Sequence, residues 1–223
     1  TVEGVDIKTI GLFTLVGLPY TLKFLWSPFL DRFSFPLFGR RRGWVLVFQA
    51  LLLILIFAMS MVSPAKAPWV LAFLAFGVAF ASSSQDIVVD AYRAEVLREK
   101  ERGLGAAVFV TGYRVAMLIS GALALILSGI LGWQATYMLM GGLMLAGMTA
   151  TWLGPEPEEP GTPPKTLQEA VSGPLLEFFS RKGAWTMLAL IVLYKLGDAF
   201  AGSLTTTFLI RGVGFSVGEV GAI

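Results

Sequence analysis

Long apolar runs separated by short polar connections make up most of this chain. An α-helix needs about 20 residues, at about 1.5 Å each, to cross about 30 Å of hydrocarbon. Six runs have this length and character, and they are residues 10–29, 44–62, 69–89, 104–131, 133–153 and 184–210. The pattern therefore predicts an all-α integral membrane protein with about six transmembrane helices.

The composition agrees with this class, because 56% of the residues are hydrophobic and only 14% are charged. Lysine and arginine exceed the acidic residues by only 17 to 15, which gives no indication of nucleic-acid binding. Cysteine and histidine are both absent, so disulfides, zinc sites and imidazole proton relays in this chain are excluded. Any proton that the chain handles must therefore be carried by a carboxylate.

Basic residues are concentrated in every second connection between the spans. They follow the first, third and fifth spans, as Arg32, Arg40, Arg41 and Arg42, then Arg93, Arg98, Lys100 and Arg102, then Lys165, Arg181 and Lys182. The other connections contain only Lys66 or no basic residue, and Arg211 alone follows the sixth span. By the positive-inside rule the basic connections are cytoplasmic, so we expect both ends of the chain to lie outside.

The longest connection, residues 154–183, has two parts. Its first part is rich in proline and glutamate, which predicts an extended, solvated linker. In its second part Thr166 and Glu169 fit a capping box, and an apolar stripe begins at Leu167 and ends at Phe178. This part is predicted to be an amphipathic helix that either lies on the inner membrane surface or serves only as a linker.

Several short segments of the sequence are distinctive. They are residues 23–28 (KFLWSP), 39–44 (GRRRGW), 84–93 (SQDIVVDAYR), 101–103 (ERG), 112–114 (GYR), 193–200 (LYKLGDAF) and 205–215 (TTTFLIRGVGF). Together they resemble the AmpG muropeptide permease family, which belongs to the major facilitator superfamily. The resemblance implies two six-helix halves joined by a cytoplasmic loop, with the substrate bound between the halves.

On this plan we expect the chain to be a fragment that holds helices 2 to 7. Residues 1–153 then form most of the N-terminal transmembrane half, with its first helix missing. Residues 154–183 form the cytoplasmic linker with its amphipathic helix, and residues 184–223 begin the C-terminal half.

The resemblance also implies a function, which composition and spacing do not supply. It indicates a proton-coupled importer of GlcNAc-anhydroMurNAc peptides from the periplasm to the cytoplasm. Such a protein is a multi-pass component of the bacterial inner membrane. It would serve peptidoglycan recycling and β-lactamase induction, and so antibiotic resistance. The expected partners are the muropeptide and membrane lipid, and the proton is the coupling ion, with no other cofactor or metal.

Charged side chains inside the spans are the candidate transport site, because such a charge costs several kcal/mol unless it finds a partner. On straight helices Lys23, Asp86 and Arg114 lie at comparable depth, about 10–15 Å from the inner end. Asp86 and Asp90 share a helix face and repel each other, so we expect one of them to be protonated or neutralised unless Lys23 or Arg114 reaches it. Asp86 and Asp90 are the predicted proton-coupling residues. The alternative is a static charge cluster.

The predicted substrate-binding residues are those that carry polar groups towards the central cavity of the superfamily plan. They are Gln85, Arg114, Lys195, Asp198 and Lys23. Lys195 and Asp198 are three residues apart on one face of the sixth span, so they are expected to form an ion pair. That pair either binds the substrate or only lets its members tolerate the membrane.

Opposite charges at the cytoplasmic ends of neighbouring spans predict a gate that closes the inner side. The predicted gating residues are Asp31, Arg40, Arg41, Arg42, Asp90, Arg93, Glu101 and Arg102. A cluster of arginines here is also what membrane topology alone requires.

Two alternatives to the muropeptide carrier stay open at this point. One is a major facilitator carrier of another large polar solute, such as an acetyl-CoA- or folate-like compound. The other is a helical membrane receptor or enzyme. An enzyme is disfavoured, because the buried charges are spread over four spans and no nucleophile stands beside a base.

Overall fold

A computed structural model describes residues 13–33, 38–63, 66–155, 157 and 163–214 of the chain. All regular secondary structure in these residues is helical. The α-helices are α1 (Leu18–Leu22), α2 (Ser27–Arg32), α3 (Arg40–Ser60), α4 (Pro68–Val96), α5 (Arg102–Leu118), α6 (Ala124–Leu153), α7 (Leu167–Ser180) and α8 (Ala184–Thr207). Short 3₁₀ helices cover Phe13–Gly17, Lys23–Leu25 and Glu99–Glu101, and π-helical turns cover Ile119–Leu123 and Phe208–Val213.

The predicted first span is broken into short pieces and is not a straight helix. A 3₁₀ turn at Lys23–Leu25 separates α1 from α2, and a proline stands in the first turn of each, Pro19 and Pro28. Proline lacks the N–H that an interior helical position must donate, but it fits the first turn, where no such bond is made. The two prolines therefore begin new helices where a single straight one was assumed.

Helix α3 lies between α4 and α6 and contacts both of them. Its residues Val45, Phe48 and Leu52 are buried on one face, where they pack with Ala81 and Val88 of α4. On α6, a Cβ atom at Gly141 would lie 3.1 Å from the Phe57 ring, so glycine permits this close approach of α6 to α3. Small residues and a buried apolar stripe thus hold the three helices together.

The predicted boundary between the fourth and fifth spans is confirmed by the backbone at Gly132. This residue has φ 79° and ψ 164°, which is not helical and which residues with a Cβ rarely adopt. By length and composition three helical stretches can cross a membrane, Arg40–Ser60, Pro68–Val96 and Glu99–Leu153. The last has 55 residues, about 80 Å if straight, so the break at Gly132 is what divides it into two spans.

Shorter apolar helices at Leu15–Leu25 and Ala184–Gly197 fall inside the predicted first and sixth spans. Together with the spans on α3, α4 and the two sides of Gly132, they account for the predicted order of apolar helices.

The chain divides into two compact units, Thr1–Ala170 and Val171–Ile223. The division falls within α7, which occupies the second part of the predicted linker. The Thr166 half of the predicted capping box is confirmed, because the Glu169 N–H donates to the Thr166 hydroxyl at 3.0 Å. The Glu169 carboxylate in turn accepts from the Lys165 N–H at 2.9 Å. In the second unit, α8 follows α7 after Gly183, whose φ is 84°.

Candidate functional site

Three polar contacts join the broken first span to the middle of α4. The Tyr20 hydroxyl donates to the Ser82 hydroxyl at 2.6 Å, and the Trp26 indole N–H donates to the Ser84 hydroxyl at 3.0 Å. Between them, Lys23 pairs with Asp86. Tyr20 is in α1, Lys23 is in the 3₁₀ turn and Trp26 directly follows it, and this spacing of three keeps side chains on nearly the same side of either kind of helix. The break in the span therefore aims all three polar groups at α4.

Lys23 and Asp86 form an ion pair, which is one of the two pairings with Asp86 that the sequence leaves open. The Lys23 ammonium donates to Asp86 Oδ2, and the two side chains are 34% and 38% exposed. Within an apolar span each charge is tolerated because the other neutralises it. The pairing is confirmed, and the role of Asp86 in proton coupling stays a prediction.

Some of the polar residues that precede Asp86 hydrogen-bond to the main chain of α4 itself. Ser83 and Ser84 are fully buried and donate to the Phe80 carbonyl at 3.0 and 2.7 Å. Gln85 differs, because its side-chain oxygen is buried and has no hydrogen-bond partner among the described residues. A buried acceptor without a partner is costly, and this marks Gln85 as a group that a ligand or water can satisfy.

Asp90 does not share the partner of Asp86. Its carboxylate accepts from Arg93 at 2.9 Å, one turn further along α4, and its side chain is 47% exposed. The Arg93 guanidinium also lies 4.1 Å from the centroid of the Phe109 ring on α5. The repulsion expected between the two aspartates is thus relieved by a separate cation for each, and Asp90 lies outside the Lys23 pair.

Arg114 is exposed on α5 and makes no hydrogen bond or ion pair with any described residue. It lines a groove of about 520 Å³ together with Tyr113, Met117, Leu118 and Ala122. The π-helical turn Ile119–Leu123 follows directly, and such turns are frequent at functional sites. The described contacts do not bring Arg114 to Asp86, and its predicted substrate role rests on the groove that it faces.

The charge cluster that the sequence predicts to be cytoplasmic is built around Arg41, which is only 5% exposed. Its guanidinium donates to Asp31 at 2.8 Å and to Glu95 at 2.7 Å. The predicted gate contains Asp31 and Arg41 but misses Glu95 of α4. A signal was present, because Glu95 lies seven residues after the buried Val88 and therefore on the same helix face.

The other two arginines of the run contact main-chain carbonyls. Arg40 donates to the Asp31 carbonyl at 3.0 Å. Arg42 donates to the Thr151 carbonyl at 3.1 Å and to the Trp152 carbonyl, which are near the C-terminal end of α6. The Thr151 carbonyl also accepts from the Gly154 N–H at 3.3 Å, and Arg42 adds a side-chain donor to carbonyls of the last helical turn, where main-chain donors run out. The run thereby connects the first, second, third and fifth spans at the ends that the sequence predicts to be cytoplasmic.

Some of the predicted gating residues do not form the ion pairs between neighbouring helices that the sequence predicts. Asp90 and Arg93 form their ion pair within α4 and not between neighbouring helices. Glu101 accepts from the Arg98 N–H at 3.1 Å and so caps its own turn. Arg102 makes no hydrogen bond or ion pair with the residues that the structure describes. Opposite charges three residues apart on one helix pair with each other in preference to charges on another helix, because the helix already holds them close together.

In the second unit, Lys195 is an exposed residue of α8. The Asp198 side chain lies outside the described residues, and so does the predicted Lys195–Asp198 pair. Their proposed contribution to substrate binding stays a prediction.

The described part of the chain is thus a set of long apolar helices with an ion pair inside and an arginine cluster at one end. This chain belongs to the Major Facilitator Superfamily, whose sequence profile matches residues 4–223. Membership confirms the predicted fold class and a multi-pass membrane protein.

Two curated relatives narrow the comparison. The chain is 57% identical over 224 residues to the anhydromuropeptide permease of Escherichia coli (strain K12), covering 100% of this chain and 46% of that protein. It is 33% identical over 232 residues to the putative transporter AmpG 4 of Rickettsia felis, covering 99% of this chain and 56% of that protein. The chain therefore spans about half the length of the curated relatives it matches.

Proposed function

We propose that this chain belongs to a carrier that imports anhydromuropeptides across the bacterial inner membrane, coupled to proton entry. The observation that carries the substrate class is the 57% identity, over the whole chain, to an anhydromuropeptide permease. The polar contacts of the first span with α4 support a carrier, because they place charge and hydrogen-bonding groups inside the bundle.

The Lys23–Asp86 pair is the proposed coupling element. Protonation of Asp86 removes its negative charge and leaves Lys23 as an uncompensated cation within the span. A muropeptide carboxylate can then replace Asp86 as the partner of Lys23. Proton binding and anion binding thus favour each other, and this reciprocity is what coupled import requires.

Gln85 and Arg114 are the proposed contacts for the rest of the substrate. The buried Gln85 oxygen accepts a hydrogen bond from a sugar hydroxyl or an amide N–H. Arg114 faces an open groove and offers a planar set of donors that fits a carboxylate. Lys195 and Asp198 are proposed to contribute from the C-terminal half.

The Arg41 cluster is proposed to close the cytoplasmic side while the carrier faces outwards. Arg41 bridges the first span to α4 through Asp31 and Glu95. Release of the substrate inwards requires these ion pairs to separate. Separation exposes the charged groups to water, so the cluster has two distinct states, closed and open.

Uptake of labelled anhydromuropeptide into right-side-out membrane vesicles tests the function. The complete protein should accumulate the compound when a proton gradient is imposed, and an ionophore should reduce the accumulation to equilibration. Equal uptake with and without the proton gradient would indicate a facilitator. No uptake of anhydromuropeptide, together with uptake of another large polar solute, would contradict the proposed substrate.

A further inference from the structure

The junction between α7 and α8 presents an apolar surface beside two cations. On α7, Val171 and Leu175 are about half exposed, and Phe178 follows on the same face. Arg181 and Lys182 come directly after this helix, before the apolar helix α8 begins at Ala184. An apolar helix face next to basic residues at the start of a span is the arrangement expected at a lipid headgroup boundary.

A groove of about 490 Å³ runs from these cations along the start of α8. Arg181 and Lys182 lie at its polar end, and its apolar lining comes from Phe178, Met187 and Leu190. A volume of this size is within the range of ligand sites. The groove therefore combines a positive end with an apolar interior.

The turn that shapes the groove is well determined by hydrogen bonds. The Arg181 N–H donates to the Phe178 carbonyl at 3.2 Å, and the Ala184 N–H donates to the Arg181 carbonyl at 3.1 Å. Gly183, with φ 84°, supplies a left-handed conformation between the end of α7 and the start of α8. The turn thus fixes the backbone of Arg181 and Lys182, which both line the groove.

The charges of these residues are only weakly compensated. Lys182 makes no ion pair or hydrogen bond with any residue in the described part of the chain. Arg181 pairs with Glu177 one turn earlier, but the two side chains are 62% and 66% exposed. Exposed pairs of this kind contribute little and exchange partners readily.

We propose that this groove binds one anionic phospholipid of the inner leaflet, with an acyl chain along Phe178, Met187 and Leu190 and the phosphate on Arg181 and Lys182. Charge complementarity selects an anionic headgroup over a zwitterionic one. Trp185, in the first turn of α8, is 71% exposed, and tryptophan prefers the headgroup level of a membrane. The bound lipid would fix the linker helix to the membrane at the entrance of the C-terminal half.

Glu177 is the acidic partner of one of the two cations that line the groove. Its carboxylate competes with a phosphate for Arg181. Removal of this carboxylate should therefore strengthen lipid binding, whereas removal of the cations should weaken it. A gain of affinity is an outcome that misfolding does not produce.

Native mass spectrometry of the complete protein, released from detergent with dioleoyl phosphatidylglycerol or dioleoyl phosphatidylcholine, measures the binding. The double variant Arg181→Gln/Lys182→Gln should lose about fivefold in phosphatidylglycerol affinity for each cation removed. Phosphatidylcholine affinity should stay unchanged. The matched control Lys66→Gln/Lys100→Gln removes two exposed cations elsewhere and should leave both affinities unchanged.

Glu177→Gln should raise phosphatidylglycerol affinity, and glycerol 3-phosphate at the same concentration should not displace the lipid. An equal loss for both lipids in the double variant, or no loss at all, would overturn the proposal. Effective displacement by glycerol 3-phosphate would show a site for free phosphate compounds instead of a lipid.

Discussion

Lys23 of the 3₁₀ turn in the first span donates directly to the Asp86 carboxylate in the middle of α4. The contact joins two elements that are 63 residues apart in sequence. The carboxylate belongs to a regular part of α4, whereas the backbone of Lys23 belongs to the broken first span. A change in the charge of Asp86 therefore acts on the least regular of the predicted spans.

Asp86→Asn should abolish accumulation against a gradient while leaving the protein inserted. Asparagine preserves the shape but cannot take up or release a proton, so the coupling step is lost and the accumulation ratio should fall to one. Gradient-driven uptake into vesicles measures this. Asp90→Asn is the matched control, because Asp90 pairs with Arg93 within α4 and not with Lys23, and it should retain accumulation. Normal accumulation by Asp86→Asn would remove Asp86 from the coupling role.

The Lys23–Asp86 pair should show a positive coupling energy in a double-mutant cycle. Lys23→Gln leaves a carboxylate unpaired in the span, and Asp86→Asn leaves an ammonium, so each single variant should lower stability. The double variant should recover part of the loss, by about 0.5–1 kcal/mol, because both side chains are about one-third exposed. Thermal unfolding in detergent measures the cycle, and strictly additive losses would show that the pair contributes no stability.

The positions of the long helices follow from the sequence because span length and apolar content decide them directly. Gly132 is the single residue between the predicted fourth and fifth spans. The hydrophobic pattern therefore already places the boundary at the residue where the backbone breaks. The broken first span is harder to predict. Proline indicates where the helix restarts, but the 3₁₀ turn at Lys23–Leu25 depends on its packing against α4.

The candidate site divides in the same way. The sequence limits the partner of Asp86 to Lys23 or Arg114, because few groups can neutralise a charge in a span, and the structure shows that the partner is Lys23. Glu95 is less conspicuous in the sequence, since it stands in a run of ordinary charged residues near a helix end. Only its register with Val88 shows that it faces the interior. Sequence cannot choose between Asp90 and Glu95 as the partner of an arginine on another helix, because that choice depends on how the helices are rotated.

Glu95→Gln should open the cytoplasmic side more than Asp90→Asn does. Glu95 bridges α4 to Arg41 of α3, whereas Asp90 pairs within α4 and binds no other helix by an ion pair in the described residues. A cysteine introduced at Ala91, one turn before Glu95, serves as the reporter, since this chain has no cysteine of its own. Its rate of labelling from the cytoplasmic side should rise in Glu95→Gln. Equal rates in the two variants would contradict a gate centred on Arg41.

Gly132→Ala should destabilise the protein by about 1–2 kcal/mol, because alanine is strained at positive φ. Gly129→Ala is the matched control. Gly129 is helical, and a Cβ there meets no atom within 4 Å, so the substitution should be neutral or stabilising. Thermal unfolding of the complete protein compares the two. Equal stability of both variants would show that the break between the fourth and fifth spans does not depend on the glycine.

Lys195→Gln should weaken binding of an anionic muropeptide more than binding of an analogue whose carboxylates are amidated. An ammonium within a span requires a negative partner, and a substrate carboxylate can serve as one. If Lys195 binds that carboxylate, its removal affects only the charged ligand, and the expected loss is about tenfold, as for one charge-assisted hydrogen bond. Binding of both ligands to the purified complete protein can be measured by calorimetry. Lys66→Gln is the matched control, because it removes an exposed cation outside the helices and should leave both affinities unchanged. An equal loss for both ligands in Lys195→Gln would assign Lys195 to the structure of α8 and leave recognition to Gln85 and Arg114.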